Sequence, residues 1–208
     1  HLDRSGGHWI TNKELDDGLR PFRQVREAVG NDINLMADIH TNWDIPNAIK
    51  IAKALKEYNI NWVEDPVRLS VEAFKQFRNE VKVPLAAGET MGSASGYIPF
   101  LQNGLIDYMM FDPVWIGGIT ESLKAATIAD AHQIPISIHD CNGPVNFTVG
   151  VNLSMAITNA CTYETARGFY YGWYKELLKE LPIIDHGFVS PLKGNGLGIE
   201  IKEKWLEK

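Results

Sequence analysis

Short apolar runs recur along the chain, and each closes on an acidic or imidazole side chain. The runs span 33–38, 60–64, 83–89, 106–112, 134–139 and 161–164. Their closing residues are Asp38, Glu64, Glu89, Asp112, His139 and Glu164, spaced 26, 25, 23, 27 and 25 positions apart. A brief apolar run bounded by turn residues predicts a buried strand. A carboxylate that closes a buried strand is an unusual residue there unless something uses it.

Helical patterns fill the intervals. Thr11 or Asn12 can cap a helix running to about Val29, with Leu15, Leu19, Phe22 and Val25 on one face and Gly30 as its stop. Asp44 and Pro46 open a second helix bearing Ile49, Ala52 and Leu55, and Ser70 opens a third bearing Phe74 and Phe77. Further helices are expected over 94–103, over 119–131 after Gly117-Gly118, and over 145–156. The first eight residues read as loop. Beyond Glu164 the repeat fails, giving way to an aromatic cluster at 169–174 and a glycine-rich stretch at 186–201 of loops and short strands.

Six strand–helix units of this length predict an α/β fold with a parallel sheet. A doubly wound sheet gathers its ligands at one switch point and usually carries a glycine-rich phosphate loop, and no G-x-G-x-x-G follows the first strand. A TIM-like barrel carries its chemistry at the C-terminal ends of many strands, where all six polar residues fall. The barrel is therefore the expected architecture. A barrel needs eight strands, so two are expected upstream of residue 1, and the chain is expected to be a fragment. The expected organisation is one domain over 1–208, with βα units to about 165 and a C-terminal segment over 166–208.

Composition narrows the function. The chain has 208 residues, 45% apolar, with a formal charge of −6 and no Lys/Arg cluster. That balance argues against nucleic acid or an anionic membrane as the main partner. No apolar run approaches the roughly 20 residues of a membrane span. Cys141 and Cys161 are too few for a disulfide framework and read as free thiols, which suits a cytoplasmic protein.

Neighbouring barrel strands lie about 4.8 Å apart, so Asp38, Glu64 and Glu89 are expected to converge from three successive strand ends. One such acid alone is as readily a helix cap as a ligand. Three together repel unless a cation neutralises them, and hard oxygen donors suit Mg²⁺, with Mn²⁺ second. Asp112 and His139 follow on the next two strands. An imidazole beside a buried carboxylate has its tautomer fixed and its basicity raised, as a general base requires. Glu164 would face the substrate and hydrogen-bond a substrate carboxylate oxygen. His40 points to the same side as Asp38 if the strand alternates through it, which makes it a candidate general acid. The set fits abstraction of a proton next to a carboxylate, with the metal dispersing enediolate charge.

The ordered motifs Asp38-x-His40, Trp62-Val63-Glu64-Asp65-Pro66, Gly88-Glu89-Thr90, Phe111-Asp112-Pro113 with Gly117-Gly118-Ile119-Thr120, Ile138-His139 and Tyr163-Glu164 resemble the enolase superfamily, mandelate racemase subgroup. The likeness covers about residues 10–200. It implies a (β/α)₇β barrel, here without its first strands, and an N-terminal α+β capping domain absent from this chain. It also implies Mg²⁺ on Asp38, Glu64 and Glu89, an Asp112–His139 base dyad, and Glu164 as a carboxylate partner. The Asp-x-His pair resembles that of acid-sugar dehydratases, where the histidine is the general acid. Nothing like the Lys-x-Lys base pair common in the subgroup precedes the helix near Thr11. Either it lies upstream of residue 1, or the enzyme uses only the His139 face, and a one-base enzyme favours dehydration or cycloisomerisation over racemisation. The expected partners are thus a small-molecule sugar acid and further copies of the chain. A cycloisomerase or epimerase, or a non-catalytic homologue that binds an acid sugar, stands as the alternative.

Overall fold

A computed structural model describes residues 8–206, so all but the last residue of the loop expected over 1–8 lies outside the described residues. In chain order the main elements are α1 (Asn12–Val29), β1 (Leu35–Asp38), α2 (Ile45–Leu55), β2 (Ile60–Glu64), α3 (Val71–Glu80), β3 (Leu85–Ala87), α4 (Ile98–Gln102) and β4 (Tyr108–Phe111). They continue as α5 (Pro113–Ile116), α6 (Ile119–Ala131), β5 (Ile136–Ile138), α7 (Pro144–Ala156), β6 (Ala160–Tyr163), and a hairpin of β7 (Ile184–Asp185) and β8 (Phe188–Val189). Two compact units result. One runs to Gly88 and includes Pro99–Tyr108; the other comprises Glu89–Ile98 and the chain from Met109 onward.

In the first unit the caps are those the sequence implies. Thr11 accepts from the Glu14 N–H while the Glu14 carboxylate accepts from the Thr11 N–H, which satisfies two otherwise orphaned donors of α1. Gly30 ends that helix at φ 68°, a conformation that costs glycine little. Asp44 and Ser70 cap α2 and α3. On the expected face of α1, Leu19 is buried, Leu15 and Phe22 are half-buried, and Val25 is exposed. Ile51, Leu55, Phe74, Phe77, Val63 and Leu85 form the buried centre, where Phe74 meets Phe100 edge-on at 5.2 Å.

The strands β1, β2 and β3 are parallel in that order, with Asp38 opposite Glu64 and Glu64 opposite Ala86. β2 fills its apolar run, whereas β1 and β3 are shorter than theirs. The ladder begins only at Leu35 and at Leu85, because residues 31–33 form a bend and Pro84 has no N–H to donate. Asp107 compensates at the start of β3: its carboxylate accepts from the Leu85 N–H at 2.8 Å and is held by Arg78 at 2.6 Å.

In the second unit β4, β5 and β6 are parallel in order, and Phe111, Ile138 and Tyr163 share one row of the register. Met109, Met110, Phe111, Ile136 and Ile138 are fully buried, as a parallel strand covered on both faces requires. The segment expected as one helix over 94–103 is instead a 3₁₀ turn, Ala94–Tyr97, running into the short α4. The aromatic cluster proves structural at one position: Tyr174 is fully buried against Phe147 and Val151, under Leu181, Ile184 and Val189. The β7–β8 turn is His186-Gly187, both at positive φ, which is the twist that a two-residue hairpin turn prefers.

Candidate active site

Three of the expected residues stand in a row fixed by the sheet register of the second unit. Because Phe111, Ile138 and Tyr163 are partners, the next residue on each strand is Asp112, His139 and Glu164. Backbone bonds carry the row past the strand ends: His139 N–H donates to the Phe111 carbonyl, Glu164 N–H to Ile138, and Asp140 N–H to Glu164. The three side chains are thus placed by main-chain hydrogen bonds as well as by packing.

Asp112 is fully buried and accepts from every side. Its Oδ1 takes the Val114 N–H at 2.8 Å, and its Oδ2 takes His139 Nδ1 at 2.9 Å and Asn142 Nδ2 at 2.7 Å. Asn146 Nδ2 reaches both oxygens, at 3.2 and 3.1 Å. A carboxylate can only accept, so the neutral His139 ring carries its proton on Nδ1 and presents Nε2 to the site. That nitrogen lies 3.4 Å from Glu89 Oε2, and ligand atoms of Glu89, His139 and Glu164 all fall within 4.8 Å of one another. Burial alone would lower the His139 pKa. The hydrogen bond to Asp112 and the fields of Glu89 and Glu164 outweigh it and raise the imidazole to about 9. The indole of Trp115 stacks on the imidazole at 5.4 Å and 23°, covering one ring face.

In the first unit Asp38 and Glu64 are register partners on adjacent parallel strands, so their side chains leave the same face. Ile39 N–H bonds the Glu64 carbonyl and Thr41 N–H that of Asp65, which extends the pairing beyond the strands. Glu64 is buried, and its Oε2 accepts from Trp62 Nε1 at 3.2 Å. His40 does not lie on the strand. β1 ends at Asp38, and His40 and Thr41 turn the chain at φ 52° and 53°. Strand alternation therefore does not orient His40; its Nδ1 lies 3.9 Å from Asp38 Oδ2.

Glu89 also leaves the expected pattern. β3 stops at Ala87, and Gly88 at φ 114° turns the chain before Glu89, which is 2% exposed. It is thus placed by a turn rather than by strand register.

Asn142, Asn146, Asp140, Tyr174 and Trp115 support the dyad and were not singled out by the sequence pattern. One signal was available for Asn146. It is an amide side chain in the first turn of α7, four positions after Asn142 and across the Gly143-Pro144 helix start, although Thr148, Asn152 and Ser154 make the same helix polar elsewhere.

The fold and the row of strand-end acids and imidazole define an α/β protein of the TIM-like barrel class, represented by six strand–helix units. Residues 5–205 match the family described as enolase C-terminal domain-like, and the chain belongs to that family. A D-gluconate dehydratase from Thermoproteus tenax is 30% identical over 96% of this chain and 40% of its own length. A D-xylonate dehydratase from Haloferax volcanii is 28% identical over 96% of this chain and 48% of its own. The chain thus spans less than half the length of these two relatives. Among solved structures, an enolase superfamily member from Salmonella Typhimurium superposes with a TM-score of 0.93 at 30% identity, over 99% of this chain and 53% of that one. An enolase of the mandelate racemase subgroup from Agrobacterium tumefaciens gives 0.90 at 33%, over 97% and 55%.

Proposed function

We propose that the protein carrying this chain is an acid-sugar dehydratase. It removes the proton α to a sugar-acid carboxylate, and water is then lost from the β-carbon of the resulting enediolate. The observation that carries this reading is the buried Asp112–His139 pair at 2.9 Å, with Nε2 directed at the Glu89 and Glu164 carboxylates. The two dehydratase relatives support the reaction class, and they are named for D-gluconate and D-xylonate.

His139 is the base. Its Nδ1 is committed to Asp112, which leaves Nε2 to accept the α-proton. Trp115 keeps one face of the ring from water. Glu164 accepts from a substrate hydroxyl beside the base or, when protonated, donates to a substrate carboxylate oxygen, and His40 protonates the departing β-hydroxyl.

Asp38, Glu64 and Glu89 are the proposed ligands of a divalent cation. The donor chemistry fits: all three are carboxylates, with Glu64 and Glu89 buried, and hard oxygen donors select Mg²⁺ or Mn²⁺ over softer metals. When bound, such a cation supplies charge neutralisation for the enediolate and offsets the Glu89 field at His139. Glu89, His139 and Glu164 could also share an ion. That arrangement would consume the imidazole nitrogen that the base needs, and Mg²⁺ prefers oxygen.

The test is α-proton exchange in D₂O with Mg²⁺ over a panel of aldonic and aldaric acids, on the longest natural chain containing these residues. Exchange with dehydrated product supports the proposal. Exchange that yields only an epimer or lactone would replace it with an isomerase, and no exchange for any acid would end it.

A further inference from the structure

Asn146 is 3% exposed on α7, and its single Nδ2 serves two buried carboxylates at once. It donates to both oxygens of Asp112 and, at 3.0 Å, to Asp140 Oδ1. Its Oδ1 is buried and has no hydrogen-bond partner among the described residues. Turning the amide over would face that oxygen toward two carboxylates and lose all three contacts. The amide orientation is therefore dictated, at the cost of one unsatisfied acceptor.

Asp140, 1% exposed, continues the chain of contacts. Its Oδ2 accepts from the Tyr174 hydroxyl at 2.8 Å and from Thr165 at 3.3 Å. The Tyr174 oxygen in turn accepts the Gly143 N–H at 3.2 Å, directly before α7 begins. One connected network thus runs from the buried aromatic centre of the C-terminal segment to the carboxylate that orients His139. Asn146 is the side chain that donates to both Asp112 and Asp140; Asn142 reaches Asp112 with its side chain and Asp140 with its backbone N–H.

We infer that Asn146 is a positioning residue for the His139 base, holding Asp112 in place through a bridge to Asp140 that Tyr174 anchors. This rests on His139 acting as the base. It adds that the C-terminal segment beyond the βα repeat forms part of the catalytic support. Asn146 touches no reacting atom in this scheme; it acts through Asp112.

The experiment compares wild type with Asn146→Ala and Tyr174→Phe, the second keeping the ring against Phe147 and removing only the hydroxyl. The first readout is the Nδ1–H proton of His139 in NMR spectra of histidine-labelled protein, which needs neither substrate nor metal. It is expected at low field in wild type, and shifted upfield and broadened in both variants. The second is the split between turnover and KM for α-proton exchange. Loss of an outer partner of a catalytic group typically costs about 10- to 100-fold, here expected in kcat with KM unchanged for Asn146→Ala, and less for Tyr174→Phe. An unperturbed Nδ1–H signal in a folded Asn146→Ala overturns the inference, as does kcat loss matched by a loss of substrate affinity. If Asn146→Ala does not fold, Tyr174→Phe decides: an unmoved signal and unchanged kcat overturn the bridge. Absence of exchange in wild type would instead count against the dehydratase reading, leaving the NMR result to judge the bridge alone.

Discussion

His139 is the residue on which the proposed chemistry turns, and its surroundings are more acidic than a lone dyad would make them. Three carboxylates and one stacked indole act on a single imidazole. Replacement by asparagine keeps a hydrogen-bond donor toward Asp112 and removes the base. His139→Asn should therefore reduce α-proton exchange by roughly 100- to 10,000-fold, the usual range for a general base, as read by NMR in D₂O. His40→Asn should give the opposite signature, with exchange retained and dehydrated product lost. Retained dehydration in that variant would remove His40 from the mechanism. Its side chain is half exposed beside Asp38, and the left-handed turn at 40–41 rather than the strand sets its direction.

The support for these side chains lies in short elements whose ends are tightly held. Gly150 on α7 illustrates how closely. A Cβ there would fall 2.5 Å from the Tyr163 hydroxyl and 2.6 Å from its ring carbon. Tyr163 cannot easily yield, because it stacks on Phe147 at 5.5 Å and donates to the Phe147 carbonyl. Alanine would gain about 1 kcal/mol of helix propensity, whereas overpacking costs about 1–3 kcal/mol. Gly150→Ala should therefore lower the melting temperature, and an unchanged or higher value would mean that Tyr163 moves freely. At β3, Asp107→Ala would leave the Leu85 N–H, on a fully buried residue, without its acceptor. A loss of about 1–3 kcal/mol is expected from such an orphaned donor, measured by chemical denaturation.

For the whole molecule, metal binding is the property that ties the proposed ligands together. A ligand that binds only the folded state at 100 times its Kd stabilises by about 2.7 kcal/mol. Mg²⁺ should thus raise the melting temperature, and EDTA should reverse the gain and stop exchange. Asp38→Asn, Glu64→Gln and Glu89→Gln should each abolish the Mg²⁺-dependent rise. If only Glu89→Gln did so and His139→Asn matched it, the cation would sit with Glu89, His139 and Glu164 instead. Among the described residues no helix is long and apolar enough to cross a membrane.

The sequence by itself determined the strand–helix order, the parallel class and the identity of the strand-end residues, because these follow from local hydrophobic period and cap chemistry. Asp112, His139 and Glu164 were legible as a row for that reason: a constant repeat makes a constant register. What only the tertiary structure decided depends on non-local contacts that leave no period. Gly88 turns Glu89 out of the strand row toward His139, and the turn at His40 breaks the strand alternation before it reaches that side chain. Asn146 reads as one of several polar residues on α7, with Thr148, Asn152 and Ser154, until packing brings it between Asp112 and Asp140. Tyr174, 62 positions beyond Asp112 in the sequence, joins the same network only because the chain past the repeat folds onto α7. A residue's distance along the chain says nothing of such a hydrogen bond, so only the fold could reveal it.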